Sequence, residues 1–121
     1  MASKLRQFKK MGAKTKEELF LFYFYVPFKA KERVKTACFM AGAGKVGFYT
    51  ECSFEYSGQG QFRPLEGSKP FIGKKLTLSK VKEVKVEIIV QKKYLKKTLV
   101  NFLKSHPYEE PAFGFIKILN S

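Results

Sequence analysis

The order in which strand-like and helix-like patterns follow one another constrains the fold of this chain more than any other feature. Residues 19–26 (LFLFYFYV) form a continuous run of β-prone side chains, the pattern of a strand covered on both faces. Between residues 29 and 41 the apolar side chains are spaced for one face of a helix, as Ala30, Val34, Ala37, Cys38 and Ala41. Gly42 and Gly44 are expected to end that helix.

The middle of the chain predicts a strand, a turn and a long loop. Phe48–Tyr56 alternates in polarity and indicates a strand whose inward side chains are Phe48, Thr50, Cys52, Phe54 and Tyr56. Ser57–Gly60 has the composition of a tight turn, so Gln61–Arg63 is expected to return as a short strand. Residues 64–79 contain two Pro and two Gly and predict a long loop, which in a compact domain is usually functional or disordered.

The last third predicts a strand, a helix and a final strand. Val81–Val90 alternates again, with Val84, Val86, Ile88 and Val90 facing inward. Lys92–Lys104 is a helix pattern whose apolar face is Leu95, Leu99, Phe102 and Leu103. Pro107 prevents its continuation, and Ala112–Leu119 is the last predicted strand.

This order is β-α-β-β-α-β, which predicts an α+β, ferredoxin-like antiparallel sheet with an elaborated central hairpin. Right-handed crossovers place both helices on one face of the sheet. The opposite face is then bare, and it includes aromatic side chains of the first strand. A bare apolar face needs a cover, most simply another copy of the chain.

The charge of the chain is strongly basic and unevenly distributed. The sequence has 24 Lys and Arg against ten acids, all of them Glu, for a net charge of +14. Residues 1–16 hold six of these basic residues and no acid, so residues 1–17 are predicted to be a basic tail and residues 18–121 one domain. The tail is either solvated or contacts nucleic acid or an acidic partner. No apolar run has the about 20 residues of a membrane span, and no signal peptide is evident, so we expect a cytoplasmic protein with reduced thiols.

Two familiar motifs are excluded by their context. Gly42–Gly47 spells G-x-G-x-x-G, but a helix precedes it and a strand follows, the reverse of a dinucleotide site. We interpret it as a helix C-cap and turn, with an anion-binding nest of backbone amides as the alternative. Cys38 and Cys52 both lie on predicted inward faces, and their spacing is not that of a zinc site. We therefore expect both thiols to be buried packing groups.

Two short strings hold the candidate site residues. His106–Pro111 (HPYEEP) is a Pro-bracketed corner in which His106 either caps the helix or binds a ligand or metal with Glu109 or Glu110. At the start of the long loop, Arg63 either binds a carboxylate or phosphate or pairs with Glu66. The chain has no Asp, so no Ser/His/Asp set exists.

The strings around these residues resemble a known family. AGAGKVGFYTECSFEYSGQGQFRPLEGSKPFIG, a following VKEVKVEI strand and SHPYEEPAF are similar to the YqfO-type domain inserted in Nif-three-like dinuclear-metal proteins. The HPYEEP corner also resembles that of CutA proteins, within a PII/CutA-like group of trimeric ferredoxin-like folds. In the full-length family the two metals are held by a flanking domain outside this module, so the resemblance does not imply its hydrolase-like activity here.

The resemblance implies a trimeric, non-catalytic module with ligand clefts between subunits. We therefore expect a regulatory or ligand-binding protein that binds an anionic small molecule or ion. The expected site comprises Arg63, Glu66, His106, Tyr108, Glu109 and Glu110. No cofactor and no catalytic residue is predicted. The alternatives are weak, non-specific nucleic-acid binding by the tail and residues 92–104, and CutA-like binding of a divalent metal at His106.

Overall fold

A computed structural model describes residues 18–119 of the chain as one four-stranded antiparallel sheet with two helices. The predicted fold class is confirmed. The strands are β1 (Leu19–Pro27), β2 (Phe54–Phe62), β3 (Ser79–Gln91) and β4 (Phe113–Ile118), in the sheet order β2-β3-β1-β4. The helices are α1 (Lys31–Met40) and α2 (Leu95–Ser105), each preceded by a 3-10 turn, Phe28–Ala30 and Lys92–Tyr94. The predicted basic tail lies outside the described residues.

The core lies between the sheet and the helices and depends on β1. β1 pairs with β3 along one edge and with β4 along the other, so its side chains meet neighbours from both strands. Phe22 stacks on Phe115 with ring centroids 4.5 Å apart and meets the edge of Phe102 at 5.2 Å. The other large buried side chains of the core come from the same sheet face, as Phe24, Val26, Val84, Val86, Ile88 and Val90, and from α1, as Val34 and Cys38.

The end of α1 follows from its glycines, as predicted. Gly42 and Gly44 have φ of 110° and 81°, a left-handed conformation that favours glycine. Gly42 also packs flat against the ring of Tyr94, where an added Cβ would lie 2.5 Å from the ring carbon Cγ. The G-x-G-x-x-G string is therefore a turn that follows a helix.

The predicted strand at Phe48–Tyr56 is wrong in its start and in its facing. Residues 45–53 are irregular, and the side chain of Phe48 is fully exposed. β2 begins at Phe54, and its aromatic side chains Phe54 and Tyr56 remain 65% and 47% exposed. The physical reason is that β2 is an edge strand, and the helices lie on the opposite face of the sheet from both aromatic side chains.

The predicted turn at Ser57–Gly60 and the separate short strand at Gln61–Arg63 are also wrong. β2 runs straight through these residues to Phe62 and pairs with β3 along its whole length. At Gly60 the missing side chain leaves room for the carboxylate of Glu83 on β3, which a Cβ would overlap. Gly60 therefore permits a close approach within a strand, a role that composition does not distinguish from a turn.

The second half of the chain matches the prediction with one exception. β3 buries the four predicted side chains, the loop before it is long, and α2 buries Phe102. In α2, however, Thr98 is fully buried, whereas Leu103, predicted to face inward, is 48% exposed. The helix is rotated so that its buried stripe passes through Thr98 and Phe102, four residues apart.

The sheet face away from the helices, called here the open face, is rich in apolar and aromatic side chains. The strand registers place on it Leu21, Tyr23, Tyr25, Phe54, Tyr56, Ile89 and Ile116. Ile116 is 53% exposed and Tyr25 is 37% exposed. In the single chain this face is therefore only partly covered, as the fold prediction implied. Neither helix among residues 18–119 is long and apolar enough to cross a bilayer.

The two cysteines differ in accessibility, and this leads to a testable prediction. Burial raises the pKa of the Cys38 thiol to about 12, whereas Cys52 lies in the irregular segment before β2 and is half-buried. The expectation that both thiols are inward is right for Cys38 and wrong for Cys52. We expect a thiol reagent at pH 8 to label one thiol per chain rapidly, because only Cys52 is accessible.

The Cys52→Ser variant is the control for this measurement. It should remove the fast labelling and leave only a slow phase limited by opening of the core. Fast labelling that persists in this variant would contradict the placement of Cys38.

Candidate functional site

A cleft of about 630 Å³ opens on the open face. Its floor is formed by β1, β2 and β3, and its walls are the loop 63–78 and the corner between α2 and β4. The lining combines aromatic, apolar and charged side chains, among them Tyr25, Tyr56, Phe62, Pro64, Pro70, Phe71, Ile72, Glu83, Lys85, Tyr108, Glu109 and Glu110. Concave sites lined in this way, with a few polar groups, are typical of small-molecule binding.

The corner is held in place by the ring of His106. The ring is buried, its Nδ1 accepts a hydrogen bond from the Tyr108 amide at 3.0 Å, and its Nε2 lies 2.8 Å from the Tyr25 carbonyl oxygen. Because Nδ1 accepts, the proton of the neutral ring is on Nε2 and is donated to Tyr25. Burial lowers the pKa of His106, the hydrogen bond to Tyr25 opposes this, and the charge of Arg33 lowers the pKa further.

Tyr108 connects the corner to the floor of the cleft. Its hydroxyl donates to Glu83 Oε2 at 2.9 Å, and burial together with this carboxylate raises the pKa of Tyr108 above its usual range. The ring lies 6.1 Å from that of Phe62 and 6.5 Å from that of Phe71. The phenol is therefore a fixed, neutral wall of the cleft.

Lys85 is the cation of the cleft floor. Its Nζ lies 5.1 Å from the ring centroid of Tyr23, 5.7 Å from that of Tyr25 and 5.8 Å from that of Tyr56. Glu87 Oε2 is 3.8 Å from the same nitrogen. A side-chain hydrogen bond with Tyr56 raises the pKa of Lys85, and the neighbouring tyrosines and Glu87 act in the same direction. Its charge is thus already surrounded by partners.

The long loop is tied to the corner by Glu109, which accepts a hydrogen bond from the Lys69 amide at 3.0 Å. Beside the cleft, a second hollow is lined by Arg63, Glu66, Glu109 and Glu110 together with Pro64, Leu65, Gly67 and Ser68. In it, Arg63 Nη1 donates to the Leu76 carbonyl oxygen at 3.2 Å and so braces the loop.

The six residues expected from the sequence fall into three positions. Tyr108, Glu109 and Glu110 line the cleft, and Arg63 and Glu66 line the second hollow with the same two glutamates. His106 lines neither. The strand residues Tyr25, Tyr56, Glu83 and Lys85 were not predicted. For Glu83 and Lys85 the signal in the sequence is the alternation of β3, which puts them on the face opposite the core. Tyr25 belongs to the continuous apolar run of β1, and Tyr56 on β2 was expected to face inward, so neither had such a signal. Residues 18–119 contain no group of three His, Cys or Glu that could hold a metal.

Comparison with known proteins identifies the segment. No protein-family model matches the sequence. A Halalkalibacterium halodurans protein named GTP cyclohydrolase 1 type 2 homolog is 39% identical over 116 residues, 96% of this chain and 31% of that protein. Its Bacillus subtilis namesake is 45% identical over 94 residues, 78% of this chain and 25% of that protein. A Bacillus cereus protein related to NIF3 superimposes with a TM-score of 0.73 at 34% identity, over 86% of this chain and 26% of that one. The chain is a YqfO-type domain.

The fold of the YqfO-type domain is shared more widely. The periplasmic divalent cation tolerance protein CutA of Archaeoglobus fulgidus superimposes with a TM-score of 0.61 over 85% of this chain and 86% of that one, at 14% identity. At that identity the likeness is one of fold. The chain spans less than a third of the two named homologues, so most of their length lies outside the match.

His106 makes the stability of the YqfO-type domain depend on pH. Because the pKa is lowered in the folded state, the unfolded chain binds more protons, and the contribution of His106 is present above the ordinary pKa of 6.5 and is lost as pH falls below it. We expect the free energy of unfolding, measured by urea titration, to fall between pH 7 and pH 5.

The matched control for this titration is His106→Gln, which removes the titrating group but keeps a polar side chain. It should be less stable at pH 7 and should lose most of the change between pH 7 and pH 5. If the free energy of unfolding of this variant fell between pH 7 and pH 5 as much as that of the wild type, the assignment of the pH dependence to His106 would be wrong.

Proposed function

We propose that this YqfO-type domain is a non-catalytic binding module that self-associates through its open face and holds a small molecule in the cleft beside it. The observation that carries the proposal is that the cleft and the exposed apolar side chains share one face of the sheet. A partner copy on that face would cover the apolar surface and would lie next to the cleft. The binding site would then be completed between subunits.

Self-association is supported by the chemistry of the open face. Tyr56, Phe54 and Ile116 are each about half exposed or more, at 47%, 65% and 53%. Contiguous apolar surface of this kind marks interaction sites in soluble proteins. The trimeric state is the one that the resemblance to the PII/CutA-like group implies.

The absence of catalysis is likewise part of the proposal. The name GTP cyclohydrolase 1 type 2 homolog belongs to proteins of which this chain covers at most about a third, 31% in the first case. Within residues 18–119, His106 uses both ring nitrogens on backbone groups and the carboxylates do not gather into a metal site. We infer that the domain binds its ligand and leaves it chemically unchanged.

The charged side chains that line the cleft indicate which class of ligand it would bind. Glu83, Glu109 and Glu110 line it, and among residues 18–119 Lys85 is its one basic lining residue, already within 3.8 Å of Glu87. Aromatic walls beside carboxylates suit an organic cation, through cation–π contacts and ion pairing. The sequence favoured an anion held by Arg63 and His106, but neither side chain lines this cleft. We therefore propose a small aromatic or aliphatic cation as the ligand.

The proposed assembly is tested on the open face. Wild-type protein should sediment as a trimer at micromolar concentration, and Ile116→Glu should shift it to monomer, because the interface would bury an unpaired charge. Leu103→Glu is the matched control, since Leu103 on α2 is 48% exposed against 53% for Ile116 and lies on the helix side. A trimer that survives Ile116→Glu but not Leu103→Glu would place the interface on the helices.

The proposed ligand class is tested with two probes that share one ring system and differ in charge, tryptamine and indole-3-acetate. Calorimetric titration should give tryptamine the tighter binding by about tenfold, the ratio produced by about 1.4 kcal/mol. Glu110→Gln should reduce this preference, whereas Glu66→Gln, in the second hollow, should not. Tighter binding of indole-3-acetate would contradict the cationic assignment and restore the anionic one.

A further inference from the structure

A second candidate binding surface lies on the helix side of the sheet, where α2 begins with a group of lysines. Lys92 and Lys93 belong to the 3-10 turn before the helix, and Lys96 and Lys97 to its first turn. All four side chains are exposed, and the segment 92–105 contains no acidic residue. The cleft and the open face play no part in this surface, so a role for these lysines is independent of the proposed function.

The turn after α1 adds a fifth lysine to this surface. Gly42 packs against the ring of Tyr94 and so brings the following turn beside the start of α2. Lys45 Nζ then lies 5.1 Å from the Tyr94 ring centroid, and Lys93 Nζ lies 5.2 Å from the same centroid. We call these five lysines, Lys45, Lys92, Lys93, Lys96 and Lys97, the basic end.

Two lysines of the basic end, Lys96 and Lys97, differ from the lysines that stabilise the fold. On α1, Lys31 and Lys35 both bind the carboxylate of Glu55 across the helix–sheet boundary. Neither Lys96 nor Lys97 forms an ion pair with any of residues 18–119. Cations at a helix N-terminus are also opposed by the helix dipole. The stability of the domain therefore gives no reason for lysines at these positions.

Glu18, the first described residue, lies at the same end of the molecule. The amide of Lys92 donates to the Glu18 carbonyl oxygen at 2.9 Å, and Glu18 Oε1 lies 3.7 Å from Lys92 Nζ. Glu18 is therefore held beside the start of α2. In the sequence it follows, after one residue, the segment 1–16 with its six Lys and Arg and no acid.

We propose that the basic end binds the phosphate backbone of a nucleic acid without reading its sequence. A repeating phosphodiester needs only point charges at close spacing, which lysines on consecutive turns provide. The side chains of the basic end offer point charges around a half-buried ring, that of Tyr94, and this is the chemistry that a phosphate backbone needs. The basic end has no Arg, Asn or Gln, the planar side chains that match the paired groups of a base edge, so the proposed contacts are to the backbone.

The test is fluorescence anisotropy with a labelled 20-base-pair DNA duplex, using the full chain between 0.05 and 0.3 M salt. The double variant Lys96→Gln, Lys97→Gln should weaken binding about ten- to hundredfold at 0.1 M salt and reduce the slope of log K against log salt by about 1.8. The matched control is Lys74→Gln, Lys75→Gln, an adjacent exposed pair in the loop 63–78 with the same loss of charge. It should leave the slope unchanged.

Three outcomes would overturn the proposal. Equal effects of the two double variants would mean that only net charge matters. No duplex binding by wild type at 0.05 M salt would exclude the interaction. Binding to phosphatidylserine vesicles that needs Lys96 and Lys97, when duplex binding does not, would make the surface a membrane site. Deletion of residues 1–16 should lower the salt slope further and leave the effect of the α2 variant in place.

Discussion

The pairing of β1 with two neighbours is the constraint on which the rest of the structure depends. Along β1, alternate side chains enter two different environments, because β3 and β4 fix its register on both sides. Phe22, Phe24 and Val26 enter the core and become fully buried. Tyr23 and Tyr25 are directed to the open face, where they contact Lys85. A slip of one residue would exchange these two sets.

The same strand also holds the corner that completes the cleft. The carbonyl oxygen of Tyr25 accepts a hydrogen bond from the Nε2–H group of His106. The other ring nitrogen, Nδ1, accepts a hydrogen bond from the backbone amide of Tyr108. Tyr108 in turn donates to Glu83 on β3. A chain of hydrogen bonds therefore runs from the central strand through the corner and back to the sheet, which gives the cleft wall a fixed position before any ligand binds.

The net charge of +14 is unevenly distributed between two sides of the molecule. The charged side chains that line the cleft on the open face are three carboxylates and Lys85, while residues 92–105 at α2 include lysines and no acid. Opposite charges on separate surfaces suit two different partners, a cationic molecule in the cleft and a polyanion at the basic end. Any binding to nucleic acid would therefore leave the open face available for a partner copy.

The order of elements, the core face of β3 and the turn after α1 are determined by local pattern, because apolar periodicity and glycine conformation act within a few residues of the chain. Which face of the continuous apolar run in β1 enters the core was decided by its pairing with β3 and β4. The resemblance of the HPYEEP and FRPLEG strings also identified the domain type from sequence. Tertiary structure alone decided that β2 passes through Ser57–Gly60, since the close approach of Glu83 to Gly60 joins residues 23 positions apart. It also decided that the ring of His106 is buried and fixes the corner, because Tyr25, the partner of its Nε2, lies 81 residues away on β1. The cleft joins strands, loop and corner, and such a combination has no signature in the sequence of any one of them.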